Sequence, residues 1–348
     1  SQEAMGGGVG PLVYHALRGR DVLPDALEAD LRVAYFQTAR RNMIVFRRIE
    51  EVLDRLDRAG VEAMLLKGAA LAEGVYGNPA LRPMGDVDLL VREADVQATL
   101  DVLEVLEYAA GDDRSVRAGD VVPYTNQVML RQSGKVENLI EVHWTLFWFL
   151  YYRAGTPMDW FWRTALTVRI GETSALMLGP EAQVLHLCGH LLHHYGDGEG
   201  FRTLWLYDVA EALAFFGERM DWDLLLARAQ AYDLVIPLQR VMARVDAVWT
   251  GIIPRCWTAR IEALSPSDAE VRAVAALAST CGSLERHNRA SLAGLSDWRS
   301  RIRLIGRRVF PPPGYIVRRY GVQHRVLIPF YYVYRWFLGL RSVLKPSV

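Results

Sequence analysis

Gly85-Asp86-Val87-Asp88-Leu89-Leu90-Val91 is the stretch on which the reading of this chain turns. Acids alternate with apolar residues and give way to a short apolar run, the pattern of a strand. Residues i and i+2 of a strand share a face, so Asp86 and Asp88 are predicted to project together. Neighbouring carboxylates repel unless a proton or a cation stands between them. A hard divalent cation with oxygen ligands, Mg²⁺ or in its place Mn²⁺, meets that need. An Asp-x-Asp pair also occurs in solvated loops, so the flanking sequence carries the decision.

Upstream, Val45, Ile49, Val52, Leu53 and Leu56 stripe one face of a predicted helix over Arg41–Ala59, and Gly60 is placed to stop it. Val61–Leu66 reads as a short strand, Lys67-Gly68 as a turn, and Ala69–Tyr76 as a second helix. Free N–H groups at a helix start cradle phosphate, and Lys67 adds a point charge. The chain writes Arg 37 times and Lys only three times, at 67, 135 and 345. An ammonium at 67 is therefore a mild functional hint. Arg82, four residues before Asp86, can reach the same anion. The alternatives are a solvated turn residue for Lys67 and a surface salt bridge for Arg82.

Downstream, Val96, Leu100 and Leu103 stripe another helix. Asn126–Arg131 and Val136–His143 read as strands of a hairpin turned at Gln132-Ser133-Gly134-Lys135. Glu141 then supplies a third carboxylate. Three carboxylates on neighbouring strands can hold two metals about 3.5–4 Å apart. His143, two residues on, shares the face of Glu141. It either orients the acceptor, contacts phosphate, relays a proton or buttresses Glu141.

The chain has 348 residues, 51% hydrophobic and 23% charged, which excludes a disordered or collagen-like polypeptide. Four segments are expected: 1–40, an N-terminal helical segment; 41–170, strands and helices around one small sheet; 171–298, helical; and 299–348, a basic aromatic tail. In the helical part, His186, His190, His193 and His194 include two i, i+4 pairs that can chelate zinc, though no acid or Cys obviously completes that site. Asp197 and Glu199 follow in a polar loop. Asp208, amid Trp205, Leu206, Tyr207 and Val209, needs a partner if buried; Arg202 is the candidate, and the functional alternative is a general base.

Zero net charge hides an asymmetry. Residues 299–348 hold ten Arg, one Lys and no acid, so they carry +11 against −11 for the rest. Val326–Val343 mixes aromatic residues with Arg. It either lies on an anionic membrane, stacks on nucleic acid or packs its aromatic face on the helical part. No recognisable RNA-binding module accompanies it, so nucleic acid is not the expected partner. Cys188, Cys256 and Cys281 share no zinc-type spacing. No stretch reads as a spanning helix and Ser1–Gly10 does not read as a secretory signal, so a cytoplasmic location is expected.

Leu66-Lys67-Gly68-Ala69-Ala70-Leu71, then Tyr76-Gly77-Asn78-Pro79-Ala80-Leu81-Arg82-Pro83-Met84-Gly85-Asp86-Val87-Asp88-Leu89-Leu90-Val91, closely resembles the uncharacterised bacterial nucleotidyltransferase-like family of the polymerase-beta superfamily. Ile140-Glu141-Val142-His143-Trp144 resembles that family's later acidic strand. The resemblance implies an α+β fold, a polymerase-beta-like domain followed by a mainly helical one. It implies metal binding by Asp86, Asp88 and Glu141, with Lys67, Gly68, Arg82 and His143 around the nucleotide. A helical-domain acid, here Asp208, can act on the acceptor in small-molecule members. Lys67-Gly68 departs from the Gly-Ser with which many superfamily members grip the terminal phosphates. The implied reaction is metal-dependent transfer of a nucleotidyl group from a nucleoside triphosphate to a hydroxyl of a small molecule, sugar or modified peptide. Kinase-type transfer of the γ-phosphate and a non-catalytic nucleotide- or partner-binding scaffold are the alternatives.

Overall fold

The computed structural model describes residues 7–110, 116–122, 125–134, 138–147, 156–195, 202–278 and, further on, 298, 302, 306, 309–311, 313–322 and 324–344. The chain opens with helix α1 (Gly10–Leu17) and the long helix α2 (Asp25–Arg58). The latter starts well before the predicted Arg41. Its apolar stripe thins out ahead of residue 42, where only Leu31 and Thr38 are buried, so periodicity alone loses the first turns. Asp25 and Glu28 there suit the positive end of the helix dipole. Val45, Ile49, Val52, Leu53 and Leu56 are buried as predicted. Each fully buried Leu or Ile contributes about 1.5–3 kcal/mol. Gly60 ends the helix with φ +73°, donating its N–H to the Asp57 carbonyl while Val61 donates to Leu56.

Strands β1 (Ala63–Leu66) and β2 (Val87–Val91) flank helix α3 (Lys67–Gly74). Helix α4 (Val96–Val105) and the short α5 (Ala118–Val121) lead to β3 (Gln127–Gln132) and β4 (Asn138–His143), the predicted hairpin. Lys135, in its turn, lies outside the described residues. After α6 (Asp159–Arg163) a second hairpin, β5 (Leu166–Ile170) and β6 (Thr173–Met177), completes a six-stranded mixed sheet in the order β3-β4-β2-β1-β6-β5. The sheet thus reaches Met177, beyond the expected boundary at 170. Helices α7 (Pro180–Tyr195), α8 (Thr203–Phe216), α9 (Trp222–Ala231), α10 (Val235–Val248), α11 (Arg255–Glu262) and α12 (Asp268–Ala278) form the helical part. Helices α13 (Pro313–Tyr320) and α14 (Ile328–Leu344) follow. One continuous apolar core links α2, the sheet and helices α7–α10.

The register positions the acids. Strands β2 and β4 are parallel neighbours, and Asp88 stands directly opposite Glu141. Strands β1 and β2 are antiparallel, with Leu66 opposite Asp88. Lys67, the next residue, therefore emerges beside Asp88.

Candidate active site

The 78–86 loop that delivers the first acids is held by α2. Arg41 donates to the carbonyls of Met84 and Gly85, and the buried Asn42 amide donates to those of Pro79 and Arg82. The Asn78 side chain closes its own turn by accepting from the Ala80 N–H. Strand β2 starts at Val87, so Asp86 stands just ahead of it.

Asp88 is buried, and one carboxylate oxygen accepts from two cations-in-waiting: Lys67 Nζ at 2.6 Å and His143 Nε2 at 2.9 Å. His143 Nε2 also lies 3.5 Å from Glu141 Oε2, which accepts from Gln127 Nε2 at 2.7 Å. Burial would raise the Asp88 pKa, but Lys67 and His143 hold it well below the usual carboxylate range. Burial would lower that of His143, yet the hydrogen bonds it donates to both carboxylates keep it above 6.5. Lys67 likewise stays above its ordinary value: burial works against its charge, and Asp88, Glu141 and Asp86 outweigh it. Among the described residues Asp86 has no such hydrogen-bonded partner. Burial first, then the charges of Asp88 and Glu141, push it up to about 6.

Lys67 adopts φ +46°, the left-handed region that side chains with a Cβ avoid. It is the first residue of α3, where the chain turns from β1 into the helix. Gly68 follows, and a Cβ there would lie 3.1 Å from Met84 Cγ and 3.2 Å from Arg82 Nη1. The missing side chain lets the 82–84 loop close over the start of the helix.

Arg82 and Asp208 meet each other. Arg82 Nη2 lies 2.7 Å and Nε 2.9 Å from the two carboxylate oxygens, and Tyr76 donates its hydroxyl to the same group at 2.8 Å. Arg82 Nη1 bonds the Pro83 carbonyl. Both side chains are buried. The partner of Asp208 is therefore Arg82 and not Arg202, which stacks on Trp205 at 5.1 Å. The reason is geometric: i, i+6 on a helix does not bring side chains to one face. The ion pair ties the 82–86 loop to α8.

The eight residues that the family resemblance assigns to the site (Lys67, Gly68, Arg82, Asp86, Asp88, Glu141, His143 and Asp208) line one cavity of about 460 Å³. That falls within the range of about 300–1,000 Å³ usual for small-molecule sites. Its far wall comes from α7 and α8, through Leu187, His190, Leu204 and Trp205. His190 packs on Trp205 at 4.7 Å, and His186 on Phe147 at 6.3 Å. Burial, with Lys67 nearby, lowers the His186 pKa to about 3, so that ring is neutral. The side chains of His193 and His194, and all of Asp197 and Glu199, lie outside the described residues. Asn126 and Gln127 line the same cavity, and neither was singled out from the sequence.

Among the described residues, Asp88, Glu141 and His143 bring ligand atoms within 4.8 Å of one another. His143 Nε2, shared by two carboxylates, is a hydrogen-bond donor in this arrangement, so the oxygens of Asp88 and Glu141 are the atoms of this cluster that could ligate a metal, and Asp86 stands outside it. A group of acid oxygens in which burial and the neighbouring carboxylates raise the Asp86 pKa is one whose charge a hard divalent cation could relieve.

The acids on the adjacent parallel strands β2 and β4 line a ligand-sized cavity together with residues of α7 and α8. Residues 2–250 match the family described as uncharacterised nucleotidyltransferase, and the chain belongs to that family. The chain is also similar to an antigenic nucleotidyltransferase-like protein from Paracoccidioides brasiliensis, with 14% identity over 66% of this chain and 95% of that one and a TM-score of 0.35. No curated protein matches. Family membership supports a transferase and suggests nucleotidyl transfer in general. No described helix is long and apolar enough to cross a membrane.

Proposed function

We propose that the chain transfers a nucleotidyl group from a nucleoside triphosphate to a hydroxyl of a small molecule, sugar or modified peptide, with Mg²⁺ as the natural metal. The observation that carries this reading is the cross-strand pair Asp88–Glu141, with Asp86 ahead of it, at the base of the cavity. A divalent ion held by these carboxylates supplies positive charge to the donor phosphates and the attacking hydroxyl.

The chain's own residues do the rest. Lys67, 2.6 Å from Asp88, would be free to bind a phosphate oxygen if that carboxylate held a metal. His143 holds the Asp88 and Glu141 carboxylates in one orientation through a single nitrogen. The acceptor enters between the rim of β2 and β4 and the wall of α7 and α8, where Trp205 and Leu204 exclude water. Arg82 and Asp208 spend their donors and acceptors on each other, so their part is to fix α8 over the cavity and not to move protons.

Transfer assays with α- and γ-³²P-labelled nucleoside triphosphates test this against a panel of hydroxyl acceptors. Label from the α position is expected in the acceptor, with pyrophosphate released. Label from the γ position would make the enzyme a kinase. Nucleotide binding with no transfer to any acceptor would make it a scaffold.

A further inference from the structure

We propose that α14 docks the protein on an anionic lipid membrane, an inference that stands apart from the reaction assigned above. Val326, Phe330, Val333 and Phe337 follow i, i+4, i+7, i+11 and form one stripe leading into and along the helix. They are 79%, 70%, 58% and 64% exposed. A patch of large apolar side chains in one line is an interaction surface and not ordinary scatter.

Among the described side chains, others of the helix are engaged. Tyr332 donates its hydroxyl to the Pro311 carbonyl, Trp336 Nε1 donates to Val309 at 2.7 Å, and Tyr331 packs on Tyr320 at 5.5 Å. Two of its polar aromatic tips are thus spent inward, on backbone carbonyls. The outward stripe is led by Val and Phe, which offer no hydrogen bond to a base or a phosphodiester but suit hydrocarbon. The charge selects the lipid: residues 299–348 carry +11 with no acid, complementary to anionic headgroups. The same charge opposes pairing this segment with itself in a second copy. The helix does not meet the requirements of a spanning segment, so it lies along the interface.

Sedimentation of the full chain with vesicles tests this. Vesicles of phosphatidylcholine with phosphatidylglycerol should retain the protein, those of phosphatidylcholine alone should retain far less, and added salt should weaken binding. The double variant Phe330→Ser, Phe337→Ser should lose about tenfold or more in affinity while its thermal midpoint stays unchanged, because both side chains face solvent. Three results would overturn the proposal: equal retention on both lipids, undiminished binding by the variant, or no vesicle binding with the stripe instead needed for dimerisation or for RNA binding.

Discussion

Lys67 holds a backbone angle that costs about 1–2 kcal/mol for a residue with a Cβ, yet the position is not glycine. What it gains is an ammonium placed 2.6 Å from a buried carboxylate. Lys67 thus acts as the internal counter-ion of the acidic cluster. Replacing it by Met leaves Asp88 with His143 alone, and stranding a buried charge costs about 3–5 kcal/mol. Lys67→Met is therefore expected to melt earlier than the wild type. Mn²⁺ should raise the variant's midpoint more than the wild type's, since the ion supplies the missing charge. Equal shifts in the two proteins would show that metal and ammonium do not share the cluster. Asp86 adds a pH signature. Its pKa is raised to about 6, so the folded protein keeps a proton that the unfolded chain releases near 3.8. Stability from this group consequently declines as pH rises from about 4 to about 6, while affinity for a divalent cation climbs across the same range. Metal titrations at several pH values check the second trend, and Asp86→Asn should flatten it.

Among the elements, α8 and the 78–86 loop are joined by one buried ion pair, Arg82 with Asp208. Asp208→Asn removes the charge and leaves Arg82 buried, so a loss of about 3–5 kcal/mol in a denaturant titration is expected. Unchanged stability with abolished transfer would instead make Asp208 a general base. Element by element, the sequence was readable where local chemistry is strong: Gly60 as a stop, β1, β2 and the β3–β4 hairpin. The β5–β6 hairpin is not among the expected elements although its signal is present. Leu166, Val168 and Ile170 alternate before Gly171, which turns at φ +58°. Asn42 was legible in hindsight too, as a polar residue in the apolar register of α2, three before Val45. The Arg82–Asp208 pair had no such signal, because 126 residues separate two groups that only the tertiary fold brings together.

At the scale of the whole molecule, the active site forms where the end of the sheet meets a helical wall, and neither part encloses the cavity alone. That junction explains why candidate residues were visible one by one while their division of labour was not. Spacing put Asp86 and Asp88 on one strand, but their unequal environments arise from Lys67 and His143, delivered by β1 and β4. The charge split between body and tail was equally plain in composition. Which face of α14 stays exposed depended on how Pro311, Tyr315 and Tyr320 pack against it. In the proposed reaction the carboxylates on β2 and β4 hold a divalent ion for a nucleotide. Mn²⁺ binding measured by electron paramagnetic resonance, with a nucleoside triphosphate present, tests it in the wild type and in Asp88→Asn and Glu141→Gln. A tightly bound ion in the wild type, lost in both folded variants, is the predicted result; equal Mn²⁺ binding in all three proteins would contradict it.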